Sequence, residues 1–517
     1  MVYYSGMSGA TSVKFLKNVI PWAGLILGPV IALSIYLLLP EAYQNTEGAN
    51  IPFSQAGQAT AAVAILMAIW WLSEAIPIYV TALLPVILFP LFDAVPIKQA
   101  AAPYAHYLIF LFLGGFIISL SMQRWGLHKR IALKTLKLVG THPTHIVGGF
   151  MIATAGLSMW VSNTATTIMM TPIALSLLAL IVKDNPDQVN HSKSARNFSL
   201  CLLLGIAYSA SIGGIGTLIG TPPNLLLASY IKETFDQEIS FVRWLGVGLP
   251  VVIIFLPLAW WLLTRWIYPF PGLKIEGAGD LADEEYKKLG EMNLGEKLTL
   301  VVFLFAVVFW IFRPLIQKIS IGNIHPFSGL SDSGVAMLAA LALFILPVDA
   351  KKRQFAMDWE SCRDLPWGIL LLFGGGLSLA SAIDHNGVGE FIGYQVAGFK
   401  GISVLMMILA VCTIIIFMTE MTSNTATTAT MLPILAAIAP MLDIPAYALI
   451  VTATVAASCA FMMPVATAPN AIVFSSGRIS IPQMCKAGLV LNLLGIILIS
   501  VLMYFVALPL LGVSFSQ

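Results

Sequence analysis

The side chains best suited to chemistry sit in two strings of identical composition, Ser162-Asn163-Thr164-Ala165-Thr166-Thr167 and Ser423-Asn424-Thr425-Ala426-Thr427-Thr428. Each gathers hydroxyls and a side-chain amide inside an otherwise apolar stretch. Farther along, Gly220-Thr221-Pro222-Pro223-Asn224 and Ala466-Thr467-Ala468-Pro469-Asn470 form a second matched pair. Hydroxyl, amide and freed carbonyl oxygens suit a hard monovalent cation. Asn and Thr donors and helix N-termini, with unpaired N–H groups and a positive dipole end, suit an anion. No Arg or Lys lies within either motif, so a bound anion needs its charge offset by dipoles and co-bound cations. That is a physical reason for coupling to sodium.

Other chemistry finds little support. No nucleophile elbow, Walker loop or pair of catalytic carboxylates is present, so the chain does not read as an enzyme. Cys201, Cys362, Cys412, Cys459 and Cys485 are widely spaced, without a CxxC pair, and read as small core residues. His106, His128, His142, His145, His325 and His385 lack metal-ligand spacing, so no transition-metal site or cofactor is expected. Two membrane-depth carboxylates are functional candidates. Glu420, directly before the second string, either acts in function or caps the hairpin helix by accepting backbone N–H bonds. Glu74 falls in a tight turn before Pro77 and reads as structural.

The elements that position these residues follow from composition. With 58% hydrophobic and 10% charged residues, against ~25% charged in soluble proteins, the chain is an all-α polytopic membrane protein. Runs such as Ala23 to Leu39, Trp244 to Trp266 and Ala487 to Leu508 have the ~20 apolar residues that cross a bilayer as a helix. The first is longer than a signal-peptide core and reads as a retained helix. Helices are expected at 18–39, 57–72, 76–92, 106–122, 198–231, 243–267, 299–313, 333–347, 366–382, 446–474 and 487–510, which makes eleven crossings. Stretches 145–182 and 402–440, each interrupted by a Ser-Asn-Thr string, are drawn as re-entrant hairpins.

The positive-inside rule agrees with this drawing. With Lys14 and Lys17 cytoplasmic, Arg124, Lys129, Arg130, Lys134, Lys137, Lys193, Arg196, Lys351, Lys352, Arg353, Arg478 and Lys486 also fall inside. The odd number of crossings leaves the C-terminus outside. Residues 271–298 form a charged cytoplasmic linker, helical around 281–289. A formal charge of +2, scattered along the chain, gives no basic face for nucleic acid.

Adding 261 to a residue number carries the first string onto the second, Pro172 onto Pro433, Gly114-Gly115 onto Gly375-Gly376 and Gly126 onto Gly387. Downstream the offset becomes 246, pairing Thr221, Pro223 and Asn224 with Thr467, Pro469 and Asn470. The fifteen-residue difference matches the polar loop Lys183 to Asn197, which the second half lacks. An odd number of crossings per half makes the two repeats inverted, and their flanks agree: five Lys or Arg residues lie between Arg124 and Lys137, none between Asp384 and Phe399. Inverted repeats place a substrate at their interface near the midplane, among discontinuous helices. Unwound backbone at that depth must be buried in protein or line a wet cavity. A gated anion channel or a membrane sensor is the non-carrier alternative, and four local breaks argue against a channel's continuous polar lining.

On the doubled Ser-Asn-Thr motif and the Ser73-Glu74-Ala75-Ile76-Pro77 turn, the chain resembles the divalent anion/sodium symporter family over nearly its whole length. The resemblance implies a plasma-membrane homodimer in which a scaffold stands still while a transport domain moves as an elevator. It divides the chain into scaffold helices (1–105), a first transport unit (106–242), scaffold helices with the linker (243–365) and a second transport unit (366–517). It further implies that Asn163, Thr164, Asn424 and Thr425, helped by Thr221 and Thr467, contact substrate carboxylates. One sodium would be held by Ser158, Ser162, Asn163 and the Gly220 carbonyl, the other by Thr419, Thr422, Ser423, Asn424 and the Ala466 carbonyl. The implied activity is sodium-coupled import of C4-dicarboxylates such as succinate, malate or fumarate. Dicarboxylate exchange without sodium, and citrate, sulfate or arsenite as cargo, stay open. Ala468 stands where the family has proline, which leaves the size preference open.

Overall fold

Short polar residues set the helix starts. The side chains of Ser54, Ser240, Asn293, Ser331 and Ser403 each accept the backbone N–H three residues on, at 2.8–3.3 Å, so apolar runs begin as capped helices. The computed structural model describes residues 7–44, 49–137, 140, 142–184, 193–273, 278–320, 323–396 and 401–512. Residues 185–192 of the polar loop, 274–277 of the linker and 397–399 of the second flank lie outside them.

Among the described residues, nine helices are long and apolar enough to cross a membrane. They are Val19–Leu38, Gln55–Ser73, Ile97–Arg124, Lys193–Gly214, Phe241–Ile267, Leu294–Ile316, Trp367–His385, Asn424–Leu442 and Ile481–Leu510. Shorter apolar helices include Ile78–Leu91, Asp332–Ile345 and Ala446–Ala457. The expected crossing at 76–92 consists of two pieces, Ile78–Thr81 and Leu84–Leu91, the second opening on Pro85 near its start. Two small antiparallel ribbons, Ala42–Gln44 with Asn50–Pro52 and Pro347–Asp349 with Gln354–Phe355, qualify the all-α expectation. The linker helix spans Ala278–Lys288.

The structure places both interrupted stretches as helix–tip–helix units: Pro143–Ser158 with Asn163–Asp184, and Val404–Thr419 with Asn424–Ile438. The two expected broken helices are also broken: Lys193–Gly214 then Pro222–Phe235, and Ala446–Ala457 then Ala468–Ser475. The first segment of the first broken helix has a wholly buried apolar window and forms the centre of the molecule, whereas Val19–Leu38 has 17% of its window buried and lies at the periphery. Gly126 and Gly387, one repeat apart, both take positive φ, 73° and 68°, and end equivalent helices in the same left-handed turn.

Contacts between loops sort them into two sets. One set joins Arg124 to Asp358, Lys129 to Glu285, Lys137 to Asp283 and Arg130 to Glu296. The other joins Arg313 to Glu238 and Asp332, and Tyr447 to Gln237. Every pair links loops that the charge rule assigns to the same side. In the first set the linker grips the helix Leu127–Lys137: Arg130 also donates to the Gly290 carbonyl at 2.9 Å, and Tyr286 lies under both Arg130 and Lys137. The equivalent helix Val388–Val396 is held by aromatic packing, with Phe391 stacked on Phe53 at 4.7 Å and edge-on to Tyr43.

Candidate functional site

The sharp turn at each hairpin tip leaves the next helix with unpaired N–H groups, and the Ser-Asn-Thr string sits on that start. Helices begin at Asn163 and Asn424, and the broken helices resume at Pro222 and Ala468 behind Thr221 and Thr467 as N-caps. Four helix N-termini therefore face one region.

Equivalent hydrogen bonds hold both tips. Ser158 Oγ donates to Asn163 Oδ1 at 2.5 Å and also lies 2.7 Å from the Ala210 carbonyl. One repeat later Thr419 Oγ1 bonds Asn424 Oδ1 at 2.7 Å and the Ala457 carbonyl at 3.1 Å. The asparagines are thus oriented from behind by a buried hydroxyl that also ties the tip to the neighbouring broken helix. Thr167 and Thr428 bond the carbonyls of Asn163 and Asn424 at 2.8 Å. Thr422 is turned toward Met418 O and Thr427 Oγ1.

The breaks are clamped by residues that sequence reasoning used only to set the repeat register. Asn224 Nδ2 donates to the Gly214, Ile215 and Thr217 carbonyls at 3.1, 3.3 and 2.7 Å. Asn470 Nδ2 does the same for Ala460 and Met463, both at 3.1 Å. These amides supply donors to carbonyls that the breaks release from the helices. Gly248 lets the following helix approach the Ile215 carbonyl, and Gly488 gives the same access to the Phe461 carbonyl. These glycines are 240 apart. The change from 246 has a visible source, since Pro222–Phe235 has 14 residues and Ala468–Ser475 has 8.

Glu420 resolves between its two readings in an unexpected way. Its Oε1 accepts from Phe461 N at 2.7 Å, Met462 N at 2.8 Å and Asn492 Nδ2 at 2.7 Å, and its Oε2 accepts from Met463 N at 2.9 Å. It does accept backbone N–H bonds, but from the facing break rather than its own hairpin. Four donors and no acceptor are the pattern of an ionised carboxylate. In the first repeat its position is Met159, whose carbonyl accepts from Thr217 Oγ1.

A cavity of about 750 Å³ collects the site. All six expected substrate contacts, Asn163, Thr164, Thr221, Asn424, Thr425 and Thr467, line it, as do Ser162, Gly220, Ser423 and Ala466. Ser158, Thr419 and Thr422, expected at the cations, are not on the wall and stand behind it through the bonds above. Ala468 lines the cavity beside Thr467. No Lys or Arg is among the lining residues; the charged ones are Glu74 and Asp364.

Discontinuous apolar helices whose broken ends meet around a polar cavity define a membrane transporter built from a structural duplication. The chain belongs to the sodium:sulfate symporter family, whose transmembrane-region model matches residues 22–511. It is 40% identical over 506 residues to the sodium-dependent dicarboxylate transporter SdcS of Staphylococcus saprophyticus, covering 97% of this chain and 94% of that one. Its identity to SdcS of Staphylococcus aureus strain N315 is 38% over 496 residues, covering 96% and 92%. The fold is similar to two solved structures at 12% identity: the YdaH transporter of Alcanivorax borkumensis (TM-score 0.57, covering 94% and 97%) and Neisseria gonorrhoeae MtrF, titled as one of a class of antimetabolite efflux pumps (TM-score 0.58, covering 96% of each).

Proposed function

We propose that this protein is a sodium-coupled importer of C4-dicarboxylates such as succinate, malate and fumarate, working in the plasma membrane as a homodimeric elevator. The observation that carries this reading is the single cavity where both Ser-Asn-Thr tips and both Thr breaks meet without a basic side chain. A dianion there lacks a covalent counter-charge, and four helix N-termini supply only partial positive charge. Sodium bound at the Asn163 and Asn424 tips, against Ser162, Gly220, Ser423 and Ala466, completes the neutralisation, so anion and cation stabilise each other. The names of the SdcS relatives support sodium and dicarboxylate as the pair.

The two hairpins are read as re-entrant and the repeats as inverted, with the set of loops that includes Arg124 and Lys129 cytoplasmic. The cavity wall carries Glu74, Gln123 and Asp364 from that side, so the structure is assigned to the inward-facing state. Asn163 and Asn424 travel with the transport units, while the turn holding Glu74 stays with the scaffold. Succinate uptake into proteoliposomes tests the reading: accumulation is expected only with an inward sodium gradient. Uptake that ignores sodium and needs internal dicarboxylate would make the protein an exchanger, and single-channel currents would make it a channel.

A further inference from the structure

Two carboxylates stand at the mouth of the cavity, and nothing in the coupling scheme uses them. Glu74 follows the helix Gln55–Ser73 as a left-handed C-cap with φ 49°, its N–H bonded to the Trp70 carbonyl. Asp364 ends the short turn Ser361–Asp364, just before Leu365 and Pro366. Both side chains are exposed and both line the cavity.

Their surroundings set them apart. Nearby carboxylates that do not line the cavity are engaged: Asp358 pairs with Arg124 and accepts from Ser361 N at 2.8 Å, and Glu360 pairs with Arg363 at 3.5 Å. Glu296 is paired with Arg130 at 2.6 Å. Among the described residues, Glu74 and Asp364 have neither an ion pair nor a side-chain hydrogen bond, and Arg363, next to Asp364, pairs with Glu360. With no Lys or Arg on the cavity wall, the Glu74 and Asp364 carboxylates give it a negative field.

We propose that Glu74 and Asp364 form an acidic rim that expels the dianion into the cytoplasm and keeps it from rebinding. The rim rests on the transport reading and orientation above. It is not a binding site; it acts at a distance, through water. Both residues come from scaffold segments, so the motif tips meet this field only in the cytoplasm-facing state, and the outward-facing site escapes it. A dianion against two carboxylates makes four like-charge pairs. Over a cavity about 10 Å across, screened by physiological salt, that repulsion amounts to roughly a 3- to 10-fold loss of affinity. The same field attracts sodium, so the rim separates the two cargoes. Net import is then limited little by succinate that accumulates inside.

The test compares the two faces of the membrane. Sodium-driven succinate uptake is measured in inside-out and right-side-out vesicles for the unmodified protein and the double variant Glu74→Gln/Asp364→Asn. Removal of the rim is expected to lower KM at the cytoplasmic face about 3- to 10-fold and to leave KM at the outer face within twofold. The difference should shrink when choline chloride is raised. An unchanged cytoplasmic KM, or equal changes at both faces, would overturn the rim while leaving the transporter reading intact. Absence of sodium-driven succinate movement in the unmodified protein would overturn both. If the double variant does not reach the membrane, each single variant carries the comparison with about half the logarithmic effect.

Discussion

The two helix breaks share a backbone and differ in charge. Around Ile215 to Thr221, the first is held by neutral groups: the Asn224 amide, the Thr217 hydroxyl and the Trp244 indole, which donates to the Ile215 carbonyl at 3.0 Å. Around Ser458 to Thr467, the second has the matching Asn470 amide plus the buried Glu420 carboxylate, supported by Asn492. Duplication preserved the carbonyl clamps and the glycine contacts, which any break at this depth requires. It did not preserve electrostatics. Under the proposed coupling, a cation at the second tip would lie near the Glu420 carboxylate, where the first repeat has Met159, so the two halves of the site would be unequal.

Substitutions can break or sharpen this comparison. The largest effect is expected where the halves are alike: Asn163→Ala and Asn424→Ala should each lower succinate uptake by roughly 100-fold, since each removes a proposed ligand from the cavity wall, while the Ser158 or Thr419 hydroxyl keeps its bond to the Ala210 or Ala457 carbonyl. Next comes Arg130→Met, which leaves Glu296 buried and unpaired; a loss of about 3 kcal/mol is expected, read as a lowered Tm in detergent. Glu420→Gln should separate the halves. The amide NH2 cannot accept from Met463 N as Oε2 does, so that bond is lost along with the charge, and the sodium concentration for half-maximal uptake should rise about 10-fold, consistent with roughly 1.5–3 kcal/mol for a hydrogen bond to a charged group. Thr217→Val, in the neutral break, should move it less than threefold. Gly248→Ala and Gly488→Ala should cost similar stability, about 1–3 kcal/mol each by overpacking, because both added methyl groups meet a carbonyl of equivalent position. A large difference between them would mean that the breaks are not mechanically equivalent.

Much of this was legible in the sequence because the duplication is written there. The 261 offset located both tips, and Thr221 and Thr467 marked both breaks; the helices stop within a few residues of the expected places. The Ser158 and Thr419 partners followed only from the resemblance, since a lone hydroxyl in an apolar helix carries no address. Asn224 and Asn470 were visible as a matched pair, but an amide that holds carbonyls and one that binds ligand look the same in sequence. Glu420 stayed ambiguous for a related reason: its donors, Phe461 to Met463 and Asn492, lie 41 to 72 residues away, and no local pattern joins them. The 76–92 segment looked continuous because its prolines sit among strongly apolar residues, and hydropathy does not register where a helix is interrupted.

The claim at the centre is that each Ser-Asn-Thr tip serves cation and anion together. Thermal stabilisation of purified protein by sodium, with and without succinate, tests it most directly when the native chain is set beside Asn424→Ala. Succinate is expected to stabilise the native protein only when sodium is present. In the variant, the succinate effect should vanish and the sodium titration should become shallower at the same time. A variant that no longer responds to succinate yet keeps the native sodium titration would contradict the shared site.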